Sequence, residues 1–288
     1  MGADAAISLY HSDPVWARAC LDSVQAEITR LEDIFSLFRE NSCLSRLNRE
    51  GRLAAPPPEM TLLMARAKTF GDATGGAFDV TVQPLWFLYR DHFSHGDPDP
   101  AGPGRDGIDT ARHLVDYRRL HVGPELISFA RPGMAVTLNG IAQGFITDHI
   151  AALLKAKGFG NVLLSLGETL GLGAHPSGGS WRMGVLDPHR VSDIRHTVEL
   201  RNRAMATSGG YGTRFGLGSR HHHLFDPRTG TSPNHFASVT VLAPDATTAD
   251  ALSTAIAVMP EERARKCLET TEGCQAYVIH EDGAGTLL

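Results

Sequence analysis

Short apolar segments of strand character alternate with amphipathic helical segments along the whole chain, and this alternation constrains the fold most strongly. Helical spacing of apolar residues follows Asp13-Pro14, an N-cap and first-turn pair, and recurs over 58–73 and after Leu138. Strands are predicted at the start of the chain and over 120–130, 134–138, 162–166, 181–186, 197–200, 204–207, 237–242 and 276–280. Because these elements keep no strict βαβ order, the sequence predicts an α+β, or mixed α/β, fold in a single domain spanning 1–288.

The segment 91–110 differs from the rest of the chain. It is rich in Pro, Gly and Asp, and it shows no apolar period. Such a composition is typical of connections between elements rather than of helices or strands. We therefore predict a surface loop or insertion here, with the composition of a mobile segment.

Composition and charge exclude several classes of protein. Of the 288 residues, 42% are hydrophobic and 20% are charged, which is ordinary for a soluble globular protein with a sizeable core. The net charge of −5 and the lack of a basic run argue against a nucleic-acid partner. No apolar stretch approaches the roughly 18 residues of a membrane span. The four cysteines contain no C-x-x-C pair and require no disulfide framework, and the first residues lack the pattern of a signal peptide.

Two oxygen-bearing side chains, Asp250 and Thr254, lie four residues apart in a segment that we predict to be helical. At this spacing they share one face of the helix. A carboxylate and a hydroxyl on one face suit a hard cation such as Mg²⁺, which indicates phosphate chemistry without a P-loop. The alternative is a capping box, with Thr247 as the N-cap and Asp250 at the third helical position. The two interpretations can coexist.

A run of three histidines, His221 to His223, precedes the turn sequence Leu-Phe-Asp-Pro. Adjacent residues do not face one way on a helix or a strand, so the run is poor geometry for a three-ligand metal site. One imidazole held by the turn is the better functional candidate. The glycine-rich turn 208–212 and the junction 139–144 are further candidates, because such loops let the backbone approach a ligand or its phosphates.

Taken together, these segments resemble the ApbE family, the FAD:protein FMN transferases. The resemblance covers nearly the whole chain, and its motifs stand in the family's order. They are the serine-rich element over 35–48, T-G-G-A-F-D-V-T-V-Q-P-L over 74–85, L-N-G-I-A-Q-G over 138–144, S-G at 208–209, H-L-F-D-P-R-T-G over 223–230 and D-A-L-S-T-A over 250–255.

The resemblance implies a T-fold-like α/β enzyme that binds FAD, cleaves its pyrophosphate with Mg²⁺, transfers FMN to a Ser or Thr of a partner flavoprotein and releases AMP. By the same resemblance, Asp250 and Thr254 would bind Mg²⁺ together with the backbone carbonyl of Ala142. His223 would be the base or a stabiliser of the transition state, with Asp250 as the second catalytic residue. The residues implied to contact FAD are Asn48, Asp79, Gly140, Gly167, Glu168, Thr169, Ser208 and Gly209.

The chain departs from the family pattern in three places. Gln143 stands where the family has lysine, Asn139 stands where it has glycine, and Gly167-Glu168-Thr169 replaces a Gly-Gly-acid turn. These forms resemble the NosX-like branch, which implies a periplasmic protein and a membrane-bound NosR-like acceptor. The loss of the lysine also leaves open a non-catalytic FAD-binding or flavin-delivery protein. A third alternative is an FAD pyrophosphatase, in which water replaces the acceptor hydroxyl.

Overall fold

The computed structural model describes residues 5–94, 96–216 and 220–288. Its helices are α1 Pro14–Phe35, α2 Cys43–Glu50, α3 Pro58–Ala73, α4 Gln83–Ser94, α5 Arg105–Arg112, α6 Ala142–Ala156, α7 Ala246–Ala257 and α8 Glu261–Glu269. Its strands are β1 Ala5–Leu9, β2 Arg52–Ala54, β3 Leu120–Val122, β4 Leu126–Phe129, β5 Val162–Leu166, β6 Thr169–Leu172, β7 Trp181–Asp187, β8 Arg190–Leu200, β9 Arg203–Ser208, β10 Ser238–Ala243, β11 Gln275–Ile279 and β12 Gly285–Leu287. The predicted mixed α/β class is confirmed. Within the described residues, no helix is both long and apolar enough to cross a bilayer.

A seven-stranded antiparallel sheet forms the centre of the fold, with the order β1-β5-β6-β9-β10-β11-β12. Strand β5 shows why the sheet is covered on both faces. Val162, Leu164 and Leu166 are buried in the main core against the helices, whereas Leu163 packs against a second core on the other face. Successive residues of a strand point to opposite faces, so one strand serves both layers. Helices α6 and α7 contact one face, and the β7–β8 hairpin covers the other.

The best-predicted helices carry local start signals. Asp13 caps α1 by accepting hydrogen bonds from the backbone N–H groups of Val15 and Trp16, and Pro14 occupies the first helical position. Helix α3 begins at Pro58 and ends at Ala73, as its apolar period predicts. The chain then turns through Gly75 and Gly76, which both have positive φ angles of 58° and 78°. A side chain with a Cβ atom is strained in that region, so the glycines stop the helix.

Two of the predicted strands are wrong in detail. Residues 134–138 form no strand, because the backbone of Val136 pairs with the side chain of Asn48 instead of a neighbouring strand. The predicted strand 120–130 is two strands, β3 and β4. They are joined by a tight turn in which the Gly123 N–H donates to the carbonyl of Leu126 at 3.0 Å.

The predicted surface loop over 91–110 is also partly wrong. Helix α4 continues to Ser94, and α5 starts at Arg105. Helix α5 has few apolar residues. Ala111 is buried and Ile108 is partly buried in a small core with α4. Two apolar residues are too few to form a recognisable helical period in the sequence. The mobility of the segment stays a prediction.

Candidate active site

A cavity of about 700 Å³ opens beside the amino-terminal end of α6 and the face of α7 that carries Asp250, Thr254 and Val258. Most of the residues that the family resemblance implies for FAD or metal line it: Asn48, Asp79, Gly140, Glu168, Ser208, Gly209, His223, Asp250 and Thr254. The other three, Ala142, Gly167 and Thr169, are not in its wall. Both halves of the chain therefore contribute to one cavity. The sequence does not show that residues so far apart along the chain meet in space.

Helix α7 carries Asp250 and Thr254 into the cavity. The predicted capping box is wrong, because the N-cap is Asp245, which accepts a hydrogen bond from the backbone N–H of Thr248 at 2.9 Å. The Thr247 hydroxyl instead donates to Asp148. Asp250 thus has no capping role in its own helix. The Thr254 hydroxyl lies 3.4 Å from the Ser208 hydroxyl on β9.

The carboxylate of Asp250 is buried and incompletely paired. One oxygen, Oδ2, accepts a hydrogen bond from the backbone N–H of Gly144 at 3.0 Å. Within the described chain, the other oxygen accepts none. Burial, with a smaller contribution from the nearby charge of Asp148, raises the pKa of Asp250 from 3.8 to about 7, although the hydrogen bond from Gly144 lowers it.

Glu168 is a second buried acid in the cavity wall. Burial raises its pKa well above the usual value, and the charge of Asp250 adds to the effect. The arginines that line the same cavity, Arg49 and Arg90, form ion pairs with Glu50 and Asp91. When they are ionised, Asp250 and Glu168 disfavour an anionic ligand unless a cation accompanies it. Among the described residues no cluster of three His, Cys, Asp or Glu side chains could hold a metal, so a cation here would bind one carboxylate and neutral oxygens.

His223 presents a neutral imidazole to the cavity. Its Nδ1 lies 3.1 Å from the carbonyl oxygen of Thr213. A carbonyl can only accept a hydrogen bond, so Nδ1 must carry the proton. Burial lowers the pKa of His223 below its usual value, which keeps the ring neutral near pH 7. Nε2 is therefore the unprotonated nitrogen, with a lone pair that can accept a proton.

The neighbouring histidines point elsewhere. His222 is buried, and its two ring nitrogens bond to the Pro233 carbonyl and the Leu224 N–H. His221 bonds through Nε2 to the Ala101 carbonyl and packs against Tyr89. The three imidazole rings therefore lie in three different environments, and of the three only His223 lines the cavity.

Asn48 and Asp79 shape the cavity wall through backbone contacts. The Asn48 amide bonds both the N–H and the carbonyl of Val136, at 2.7 and 2.8 Å. The Asp79 carboxylate accepts from the backbone N–H groups of Thr81 and Tyr117 at 2.8 and 3.1 Å. Burial raises the Asp79 pKa to about 6. Asn48 therefore holds the irregular segment at Val136, and Asp79 holds two short 3₁₀ turns, 80–82 and 117–119. Most of the hydrogen-bonding groups of both side chains are already used.

Two glycines allow close packing at the mouth of α6. A Cβ on Gly140 would lie 2.7 Å from the Thr254 hydroxyl oxygen. Gly167 has a φ of +99°, and a Cβ there would lie 2.6 Å from the Gln143 amide nitrogen. The Gln143 side chain thus packs over Gly167. Although Gly167 does not line the cavity, it packs against Gln143, which does.

The family model described as "ApbE family" matches residues 1–278. The chain belongs to the ApbE family. An ApbE-family relative from Salmonella typhimurium, named FAD:protein FMN transferase, is 29% identical over 99% of this chain and 83% of its own length. A relative of the same name from Treponema pallidum is 32% identical over 92% of this chain and 78% of its own length. The solved structure of "Flavin Transferase ApbE from Vibrio cholerae" superposes with a TM-score of 0.84. It has 27% identity and covers all of this chain and 94% of that one.

Three aromatic residues of this ApbE-family cavity were not predicted individually from the sequence. Phe38, whose surface is 84% exposed, lines it together with Trp86 and Tyr211. The Arg90 guanidinium stacks 5.2 Å from the Trp86 ring centroid. Tyr211 had a signal in the glycine-rich turn over 208–212. Phe38 and Trp86 had none, because lone aromatic residues are far more common in cores than in ligand sites.

Proposed function

We propose that the protein is an Mg²⁺-dependent FAD:protein FMN transferase. It is an enzyme of the flavinyltransferase class that attaches FMN through a phosphoester to a Ser or Thr of a partner flavoprotein and releases AMP. The observation that carries the proposal is the arrangement of His223 and Asp250. A neutral imidazole and a buried, incompletely paired carboxylate face the same cavity. The names of the relatives supply the substrate class.

The residues present fit a magnesium ion. The free oxygen of Asp250 and the hydroxyl of Thr254 are hard donors on one face of α7, and hard donors are what Mg²⁺ prefers. We assign the carbonyl of Ala142, in the first turn of α6, as a third donor. When bound, the ion would neutralise the diphosphate charge beside Asp250 and Glu168 and polarise the phosphoryl group that is attacked.

His223 acts on the acceptor hydroxyl. The acceptor oxygen forms a bond to the FMN phosphorus, and the P–O bond to AMP breaks. Nε2 of His223 takes the proton that the hydroxyl loses, while its Nδ1–H stays bonded to the carbonyl of Thr213. That fixed bond sets the ring orientation, so the imidazole needs little rearrangement as the reaction proceeds.

We further propose that the protein is a NosX-like member that acts in the periplasm on a membrane-bound NosR-like acceptor. The support is the motif L-N-G-I-A-Q-G over 138–144 and the turn Gly167-Glu168-Thr169. Incubation with a NosR-like acceptor domain and with an unrelated flavinylated domain would compare the two substrates. Equal modification of both would contradict the narrower acceptor assignment.

A second candidate function rests on Gln143. This neutral amide replaces a cation near the phosphates, and among the described residues its side chain makes no hydrogen bond. A non-catalytic FAD-binding or flavin-delivery protein would bind FAD without forming AMP. An FAD pyrophosphatase would instead produce FMN and AMP with no acceptor present.

One experiment separates these functions. The protein is incubated with FAD, Mg²⁺ and a purified acceptor domain that carries a Ser or Thr target. The mass of the intact acceptor and the AMP formed are then measured. We expect one FMN added per acceptor and AMP in equal amount, both lost in Asp250→Ala and His223→Ala. AMP without acceptor would establish the pyrophosphatase, and bound FAD without AMP would establish the binding protein.

A further inference from the structure

Helices α6 and α7 are joined by a pair of carboxylates that point in opposite directions. Asp148 on α6 reaches the first turn of α7, where it accepts hydrogen bonds from the backbone N–H groups of Ala246 at 2.8 Å and Thr247 at 2.9 Å. The Thr247 hydroxyl also donates to it. In return, Asp250 on α7 accepts from the backbone N–H of Gly144 in the first turn of α6. Each helix therefore caps the amino-terminal end of the other.

The two helices cross closely at these hydrogen bonds of Asp148 and Asp250, which together we call the clamp. A Cβ on Gly144 would clash with the carbonyl oxygen of Ala246, so only glycine allows the two backbones to meet. Asp148 stands four residues after Gly144, on the same face of α6. The side-chain bonds and the backbone contact thus fix one register of α7 along α6.

That register determines the site. Asp250 and Thr254 both lie on α7, whereas Gly140, Ala142 and Gln143 lie at the start of α6. A Cβ on Gly140 would be only 2.7 Å from the Thr254 hydroxyl oxygen, so the clearance between the two helices is small. A slide of α7 would move the carboxylate and the hydroxyl together, away from the groups on α6.

From this arrangement we infer that Asp148 is a positioning residue of the transferase site. Asp148 does not line the cavity. It holds α7 in the register that places Asp250 and Thr254 correctly for a cation and the diphosphate. The inference rests on the proposed function, since it concerns the metal requirement of that reaction.

The test is Asp148→Asn. The side chain keeps its size, but one oxygen becomes an NH₂ group that faces the N–H of Ala246 or Thr247. One hydrogen bond between α6 and α7 is lost, and two donor groups then repel each other. Partners that orient metal ligands typically change affinity or activity by about 10–100-fold when mutated. We expect the Mg²⁺ concentration for half-maximal FMN transfer to rise by about that factor, with partial recovery of the rate at saturating Mg²⁺.

A binding readout accompanies the rate. Mg²⁺ is titrated into the protein with FAD but without acceptor, and the rise in the unfolding midpoint is followed. We expect the wild-type midpoint to rise with Mg²⁺ and the Asp148→Asn midpoint to need about 10–100-fold more of the ion. A purely structural role would lower the midpoint of the metal-free protein and leave the Mg²⁺ dependence unchanged.

Asp245→Asn is the matched control. Asp245 is a second carboxylate at the same end of α7, but it bonds its own helix at Thr248 and the side chain of Arg66. Asparagine is also a good N-cap, so this variant removes a charge without breaking the link to α6. We expect its Mg²⁺ dependence to match wild type.

The outcomes separate the two proposals. A wild-type Mg²⁺ dependence in Asp148→Asn, or an equal shift in Asp245→Asn, would overturn the role of Asp148 and leave the transferase intact. A wild-type protein that responds to Mg²⁺ in neither readout would overturn the metal site and this role together. If Asp148→Asn does not fold, Thr247→Val removes only the hydroxyl donor to Asp148, and it should shift the Mg²⁺ dependence in the same direction by a smaller factor.

Discussion

In the proposed mechanism, the reaction depends most directly on the ionisation state of one residue, His223. Because burial lowers its pKa below the usual value near 6.5, the base form predominates at pH 7. At saturating Mg²⁺, which keeps the Asp250 carboxylate ionised, transfer should be nearly constant above pH 7 and should fall as the pH decreases through the lowered pKa of His223. We expect His223→Gln to reduce transfer by about 10²–10⁴-fold and to remove this acidic limb.

The measurement for His223 is the initial rate of FMN transfer from pH 5 to 8, at saturating FAD. His221→Gln is the control, because His221 does not line the cavity. The glutamine amide can still donate a hydrogen bond, as the ring of His221 does to the carbonyl of Ala101. We expect it to follow the wild-type profile. An acidic limb that persists in His223→Gln would assign the titration to another group.

The buried charge of Asp250 should cost stability. Its pKa is about 7 in the folded protein and 3.8 when exposed, so between these values the unfolded chain binds fewer protons than the folded one. The free energy of unfolding therefore falls as pH rises from about 4 to about 7. In metal-free protein at pH 8, Asp250→Asn should be more stable than wild type by up to about 4 kcal/mol.

Denaturant unfolding of both forms at pH 4 and pH 8, without Mg²⁺, measures this difference. We expect the gain of Asp250→Asn seen at pH 8 to shrink to less than about 1 kcal/mol at pH 4, where the carboxyl is protonated in the folded protein and only partly ionised in the unfolded chain. A gain of the same size at both pH values would show that the charge is not its cause.

At the scale of elements, the contact between α6 and α7 depends on Gly144. Gly144→Ala places a methyl group against the Ala246 carbonyl, and the helices must separate to relieve the clash. We expect the free energy of unfolding to fall by about 1–3 kcal/mol, as for other overpacked positions, and transfer to fall with it. Gly107→Ala in α5 is the control, because its Cβ would meet only the flexible end of Leu88 at 3.4 Å. There alanine should be neutral or stabilising by up to about 1 kcal/mol.

The same scale shows what the sequence could predict. The caps and prolines of α1 and α3 act within a few residues, so those helices were readable. Residues 134–138 look like a strand, yet Val136 pairs with a side chain 88 positions away. The partner of Asp250, the N–H of Gly144, lies 106 positions away. The local spacing of residues does not encode such long-range hydrogen bonds. The order of the motifs therefore indicates which residues form the site, but not which partners hold them in place.

At the scale of the whole molecule, ligand binding should couple both halves of the chain. The cavity is lined by Asn48 and Asp79 from the first half and by His223 and Asp250 from the second. The main core is built of apolar side chains, and among the described residues no group of three His, Cys, Asp or Glu side chains could hold an ion within it. We therefore expect EDTA to abolish transfer while leaving the unfolding midpoint of the ligand-free protein unchanged.

FAD with Mg²⁺ should have the opposite effect on stability. A ligand that binds only the folded state at 100 times its Kd adds about 2.7 kcal/mol, which corresponds to an increase of roughly 5 °C in the unfolding midpoint for a chain of this length. Because the cavity joins elements from both halves, the transition should shift as one cooperative step. Calorimetric scans with and without FAD, Mg²⁺ and EDTA measure this shift. A scan in which FAD moves only part of the transition would show that the two halves unfold independently.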